Sequence, residues 1–364
     1  MQSNLPLPLA EKTNIKDWDF YNLNLQEAPA PNIDVSTLVP EGSKNSIVIY
    51  DGNILYNQLE NGVTTSQPNI DIVKESNTLI SLNNKNKNST ININIAKNTK
   101  LNQPLYIINV ASSRSLLHQT QINIEDGANA EIVETFFTDT KINANIVSKI
   151  NIGKNAHVTS FLINRINGGS TVYYHKATEV EADATLKSYN FIINNSNVVF
   201  EDFTHLVGKG GDANVATVAL ASGDQKQNIT IRVENYAPKS VGNILNYGIV
   251  KDSAHLAFNG IGKIHKGMNG VDNQQESRLL NLSRNAEAVA NPFLLIDEGD
   301  ITAGHAASIG QINEEQVYYL MSRGLSKQES EKLIVSGFLT PFVNTVSDEN
   351  IKKELLNNIE EKLS

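Results

Sequence analysis

Apolar residues alternate with polar ones in short runs, and the runs keep returning. Ile91, Ile93 and Ile95, then Ile122 and Ile124, Ile150 and Ile152, and Ile229, Ile231 and Val233 each set an aliphatic side chain at every second position. A period of two places those side chains on one face of a β-strand, so residues 46–300 read as a succession of half-buried strands. A longer rhythm overlies this one. An alanine that follows a polar or glycine-containing turn recurs at Ala130, Ala156, Ala184, Ala213, Ala254 and Ala286, at spacings of 26, 28, 29, 41 and 32 residues. The turns resemble one another: Glu125-Asp126-Gly127, Gly153-Lys154-Asn155, Glu181-Ala182-Asp183 and Gly210-Gly211-Asp212. A period of this length means one supersecondary unit stacked on the next, each covering the apolar face its neighbour exposes. A mainly β chain with a β-helix (solenoid) core is the expected architecture; an ordinary sandwich with regular strand spacing is the alternative this pattern leaves open.

A solenoid has ends that need covering. Residues 1–45 read as a polar, proline-containing arm around Trp18, with Phe20 and Tyr21 beside it to dock an irregular or helical lid. After Pro292 the pattern turns helical. Glu314 to Ser322 stops at Arg323-Gly324, Ser326 with Glu329 forms a capping box, and Leu333, Ile334 and Phe338 give the second helix an apolar face. A third helix is expected from near Ser347, with Ile351, Leu355, Leu356, Ile359 and Leu363 on one stripe. The expected division is therefore an arm over 1–45, a β-helix core over 46–300 and a C-terminal helical region over 301–364.

Composition closes off several functions. With 39 acidic against 30 basic residues the net charge is -9, which offers no footprint for nucleic acid. The N-terminus lacks a basic start followed by an apolar run, and no stretch of about 18 apolar residues occurs, so a cytoplasmic location without membrane contact is expected. Asn-x-Ser/Thr triplets at Asn88, Asn228 and Asn281 then read as asparagine-rich loops. The chain has no cysteine. That removes disulfides, thiol catalysis and every thiolate metal ligand, so soft-metal chemistry would have to borrow sulfur from a partner.

The glycine-rich stretches Gly208–Asp212 and Gly260–Lys263 lack the Gly-x4-Gly-Lys-Ser/Thr spacing of a phosphate cradle and read as solenoid turns. No Gly-x-Ser-x-Gly elbow is present, and the seven histidines include no His-Glu-x-x-His pair, so hydrolase and zinc-protease chemistry are not expected. His305 has an unusual setting. Small residues flank it in Ala303-Gly304-His305-Ala306-Ala307, leaving space above the imidazole for a ligand or partner; the plainer reading is a packed or hydrogen-bonded interior histidine.

The segments Asn243–Gly248, Phe258–Ile264, Gln274–Arg278 and Asn291–Ile296, followed by Ala303–Gly310 and Tyr318-Tyr319-Leu320-Met321-Ser322-Arg323-Gly324, stand in the order found in the SufB/SufD family. The chain resembles that family closely over its C-terminal third and by pattern through the repetitive middle. Ala306 stands where SufB-type members carry glutamate, and cysteine is absent, so the resemblance is to the SufD-type branch of low-GC Gram-positive bacteria. Ala303 replaces a cysteine that some members of that branch carry. The resemblance implies a right-handed parallel β-helix, an iron-sulfur cluster assembly role without catalysis, and a complex with a SufB-like paralogue and a SufC-like ATPase. His305 is the position that matches the family's functional histidine, a transient ligand of iron or of a cluster shared with the paralogue, with no tightly bound cofactor. The resemblance also places the ATPase contact on the helices, at Tyr318, Tyr319, Leu320, Arg323, Gly324 and Phe338; pairing of the chain with itself is a further expectation. A carbohydrate-active β-helix enzyme and a self-associating structural solenoid are the rival classes, and recovery of the paralogue and ATPase with the chain separates them.

Overall fold

A computed structural model describes residues 5–26, 33–112, 115–138, 140–166, 169–344, 346 and 349–363. The chain enters through a 3-10 turn at Val35–Thr37, then β1 (Ser46–Tyr50), β2 (Asn53–Gln58), β3 (Val63–Ser66) and α1 (Thr78–Asn86). Strands β4 (Ser89–Ile95), β5 (Leu105–Val110), β6 (Leu116–Ile124), β7 (Asn129–Thr138) and β8 (Asn143–Ile152) follow. The middle holds β9 (His157–Ile166), β10 (Thr171–Val180), β11 (Thr185–Ile192), β12 (Asn197–Leu206), β13 (Asp212–Ala221) and β14 (Lys226–Asn235). It closes with β15 (Val241–Val250), β16 (His255–Ile264), β17 (Val271–Asn281), β18 (Glu287–Ile296) and β19 (Ile301–Gln311), then α2 (Glu314–Ser322), α3 (Lys327–Val343) and α4 (Glu349–Leu363).

From β4 onward each strand pairs in parallel with the strand two places away. The odd-numbered strands from β5 onward and the β1–β2 hairpin make a ten-stranded sheet, and the even-numbered strands from β4 onward with β3 a nine-stranded one. Two strands therefore make one coil of a solenoid, and partners one coil apart in the ten-stranded sheet are separated by 27 to 31 residues from β9 onward. The sandwich alternative is excluded by that parallel, two-apart pairing. Every isoleucine of the alternating runs faces the space between the sheets. At one corner each coil turns on a residue of positive φ: Asn98, Gly127, Asn155, Asp183, Gly210, Lys239 and Gly270. Each of these residues donates its N–H to a carbonyl of the following coil's turn, so the corner is itself a hydrogen-bonded ladder. The 41-residue gap in the alanine rhythm has a simple cause. The earlier alanines mark the ten-stranded sheet, whereas Ala254 and Ala286 precede β16 and β18 of the other.

Both sheets are covered outside as well, which is why the middle strands are buried on both faces. On the ten-stranded sheet, α3 and α4 lay Val335, Leu339, Phe342, Ile351, Leu355 and Ile359 onto Phe161, Tyr189, Phe191, Val218 and Tyr247. The capping box of Ser326 and Glu329 forms as expected, and α2 ends on Gly324 at φ +100. The expected start of the third helix, near Ser347, lies outside the described residues. On the nine-stranded sheet, Ile15 and Phe20 of the arm and Leu79 and Ile80 of α1 pack against Tyr173 and Val199. The arm is irregular and crosses the strands: Asn228 donates to the Glu11 carbonyl, Thr13 Oγ1 lies 3.0 Å from His255 Nε2, and Ser115 N–H donates to the Asn24 carbonyl. Tyr21 is not part of that docking, being 45% exposed while Phe20 is buried.

Three expectations are corrected. Gly260 and Gly262 lie inside β16 rather than in a turn, because an added Cβ would meet Gln275 Oε1 at 2.7 Å and Asn273 Oδ1 at 2.4 Å. Glycine there makes room for carboxamides inside the solenoid. Asn228 is a fully buried residue of β14 and not a loop residue; its carboxamide is one rung of a ladder with Asn259 and Asn291. The solenoid runs past residue 300 to Gln311, since β19 pairs in parallel with β17 over its whole length. The glycine and alanine of that strand hide it from a search for β-branched alternation.

The last helix carries a testable pH effect. Lys362 donates to the carbonyl oxygens of Asn194 and Leu220, and burial pushes its amine down to about 7 from 10.5. Between those values the unfolded chain binds the proton and the folded chain does not, so stability rises with pH across that window and is flat below it. Both carbonyls also accept from Gln225 and Gln227 at 3.1 and 3.3 Å, so Lys362→Met leaves neither without a donor. The expected result is loss of the pH-dependent rise in urea midpoint, with no loss of stability near neutrality.

Candidate functional site at the open end of the solenoid

Among the described residues, no strand pairs onto the last coil. Strand β19 ends the ten-stranded sheet and β18 the nine-stranded one, each leaving one row of backbone N–H and C=O groups unpaired. Both strands are largely solvent-accessible, with Phe293, Leu295, Ile296 and Ile309 exposed by 38–50%. An uncovered pair of sheet edges with apolar side chains beside it is an association surface, because main-chain hydrogen bonds and apolar burial are both available there.

His305 sits in the middle of β19. Its backbone pairs with Gln275, whose alternate neighbours Asn273 and Ser277 share its buried, lumen-facing column. In any earlier coil a residue of that column would be buried under the next rung. At the last coil the rung is missing, so the imidazole is exposed. The interior reading of His305 is thereby overturned: the column is an inner one, but among the described residues no further coil covers it.

A groove of about 720 Å³ leads across the outside of the ten-stranded sheet from Lys187 on β11 to Gly304, His305 and Ala306 on β19. Its floor and walls follow two ladders. Lys187, Asn214, Asn243, Gln274 and Gly304 are successive partners along one, and Tyr189, Ala216, Leu245, Glu276 and Ala306 along the other. Asn243 donates to Asn214 at 2.8 Å, and Arg278 donates to Glu276 at 2.6 Å. The Glu276 carboxylate also holds the Arg278 guanidinium above its ordinary range. Among the described residues no three histidine, aspartate or glutamate side chains gather to hold a metal ion. His305 thus stands at this edge as a single exposed imidazole.

The helical residues singled out in the sequence fall on two different surfaces. Tyr318 and Tyr319 are 74% and 56% exposed, next to Met321 and Leu333, at 44% and 52%. Arg323 lies over the Tyr319 ring at 5.4 Å and donates to its hydroxyl at 3.2 Å. Gly324 ends the same helix, and Leu320 is partly covered. Phe338 belongs to the inside face of α3, edge-on to Tyr247 at 5.3 Å, and is not part of this patch. Gln275 is the register partner of His305, a neighbour that sequence spacing does not reveal.

These features define a class: a two-sheet β-solenoid with an open end, a single exposed imidazole on that end and an aromatic helical patch beside it. The SufBD core domain of the SUF system for iron-sulfur cluster assembly matches residues 106–338. The chain is 31% identical to the iron-sulfur cluster assembly protein SufD of Bacillus subtilis, over 99% of this chain and 91% of that protein. It is 24% identical to the protein of the same name from Escherichia coli, over 68% and 59% of the two. A SufBD family protein of Staphylococcus haemolyticus is 26% identical, over 69% and 55%. The chain belongs to the SufBD family of iron-sulfur cluster assembly proteins. No helix among the described residues is long and apolar enough to cross a membrane.

Proposed function

We propose that this chain is a non-catalytic scaffold subunit that acts in the cytoplasm, pairing its open end with a SufB-like paralogue and presenting its helical patch to a SufC-like ATPase. The observation that carries the reading is the exposed His305 on an uncovered sheet edge. Two solenoids that join edge to edge through β18 and β19 continue both sheets across the joint and satisfy the open backbone rows. The joint brings His305 against whatever the paralogue supplies. A neutral imidazole binds iron through one nitrogen, and thiolates from the other subunit would supply the soft donors this cysteine-free chain lacks. The cluster is then cargo held between two chains, not a cofactor of this one.

Tyr318, Tyr319, Leu320 and Arg323 form the surface on which the ATPase docks. α2 connects directly to β19 through Ile312 and Asn313, so movement of that helix reaches the strand that carries His305. ATP-driven closure of the ATPase would thus be transmitted to the joint.

His305→Ala is expected to leave the three-protein complex assembled and to lower cluster yield at least tenfold, followed by iron content and visible absorbance; an unchanged yield refutes the ligand role. Tyr318→Ala with Tyr319→Ala is expected to abolish ATPase binding in a pulldown while leaving the paralogue bound. Loss of the paralogue alone would reverse the assignment of the two surfaces.

A further inference from the structure

The outer groove of the ten-stranded sheet follows the solenoid axis and opens at β19, the strand that ends the sheet. One of its two ladders is a row of carboxamides: Asn214, Asn243 and Gln274 lie on successive coils, between Lys187 on β11 and Gly304 on β19. A carboxamide carries an acceptor oxygen and two N–H donors, the complement of a peptide group. The other ladder is apolar through Tyr189, Ala216 and Leu245. α3 flanks it, with Phe342 edge-on to the Tyr189 ring at 6.2 Å.

The spacing selects a backbone. Neighbouring strands are about 4.8 Å apart, so Asn214 and Gln274, two rungs from each other, stand about 9.6 Å apart along the axis. Three residues of a polyproline II segment rise about 9.3 Å and return to the same face, and its peptide groups, unpaired within the segment, need outside partners. A β-strand of similar rise turns its third residue to the opposite face. From Lys187 to Gly304 the groove spans four rungs, about 19 Å, which holds about six residues in the polyproline II conformation. Every third side chain then falls on the apolar ladder, and an acidic side chain at the far end meets the Lys187 ammonium.

The mouth of the groove points to the source of the segment. Gly304 and Ala306 end the two ladders with no side chain beyond Cβ, so a backbone can cross β19 from an adjoining solenoid. A Cβ at Gly304 would stand 2.6 Å from Gln274 Oε1 and close the lane over that acceptor. We propose that the groove seats a polyproline II segment of the SufB-like paralogue, about six residues long, apolar at every third position and acidic at the end nearest Lys187. The inference rests on the reading of β18 and β19 as the edge that meets the paralogue, and adds a second contact outside that joint.

The test uses the three purified proteins reconstituted as a complex, with the photo-crosslinking residue p-benzoylphenylalanine in place of Asn243 in the groove or, separately, of Ile309 on the edge. Mass spectrometry of the products should show both positions joined to the paralogue, with Asn243 joined to one short segment of the stated pattern. Crosslinking from Ile309 alone overturns the groove proposal and leaves the joint standing; crosslinking from neither defeats the joint reading as well. Capture of the ATPase or of a second copy of this chain from Asn243 gives the groove to another occupant and also overturns the proposal. In binding measurements with the paralogue, Asn243→Ala combined with Gln274→Ala is expected to weaken affinity about tenfold. Asn123→Ala is the control: it belongs to a carboxamide ladder outside the other sheet, where Asn151 donates to it at 2.7 Å, and should leave affinity unchanged. Wild-type affinity in the double variant, or an equal loss in the control, counts against the carboxamide row as the segment's support.

Discussion

Asp202→Leu is expected to destabilise the chain by about 3–5 kcal/mol, and the double variant Lys176→Met/Asp202→Leu to recover most of that loss. Both residues lie inside the solenoid, with side chains 2% and 0% exposed and 3.5 Å between Lys176 Nζ and Asp202 Oδ2. Lys176 also donates to Ser188 Oγ at 2.7 Å, and Asp202 accepts from Asn190 at 2.9 Å. Removing the aspartate strands an ammonium in the core, where the hydroxyl and amide around it cannot balance the charge. Removing both charges leaves a volume that methyl groups fill, which is why the double variant should be nearly neutral. Denaturant unfolding of the two single variants and the double closes the cycle. Equal losses in the Asp202 single and the double variant would show that packing, not charge, is at stake. The pair does not stand alone: Glu134, whose carboxyl is raised above its usual range by burial, accepts from Tyr174 at 2.8 Å one coil away. A solenoid of isoleucine ladders has little to prevent one coil from slipping against the next, and these distinct polar contacts give each coil only one matching partner.

Gly208→Ala is expected to cost about 3 kcal/mol or more and to deplete soluble protein. A Cβ at Gly208 would stand 1.9 Å from the Ala182 nitrogen and 2.3 Å from the Glu181 carbonyl carbon, both backbone atoms of the coil beneath. Those atoms belong to the hydrogen-bonded corner and cannot yield without opening it; Gly208 itself donates to the Val180 carbonyl at 3.1 Å. Gly299→Ala is the matching control, since nothing lies within 4 Å of its Cβ position, and should fall within about 0.5 kcal/mol of wild type. Comparison of thermal midpoints for the two variants checks the contrast. Equal midpoints would mean that the corner is looser than its hydrogen bonds indicate.

The architecture was legible because a solenoid repeats its local rules. Isoleucine at every second position sets the inward face, and the asparagine, aspartate and glycine of the corners supply the positive φ that each turn requires. Helix ends were legible for the same reason: the capping box at Ser326 and the glycine after α2 act on their immediate neighbours. Where a residue's partner lies a coil away, local rules fail. Gly260 looked like a turn because the carboxamide that excludes a side chain there comes from Gln275 on the opposite sheet. Strand β19 was placed in the helical region because alanine, glycine and serine carry no strand signal without the neighbour that pairs with them. α1 went unnoticed within the strand region, its helix fixed by the Asn77 cap and by burial against β6 and β8.

The sequence alone determined that strands would stack in coils, that helices would follow them, and that no thiolate could come from this protein; the helices do not cap the solenoid's end as expected, because α3 and α4 bury their apolar stripes on the outer face of the ten-stranded sheet. It also marked His305 through its small neighbours and its place in the family pattern. Only the tertiary structure decided whether that histidine lies inside or outside, because the answer depends on a coil that is missing rather than on any residue nearby. The same holds for Gln275, thirty residues earlier in the chain and one rung away in space: adjacency in a solenoid is set by register, and register comes from the summed fit of many coils.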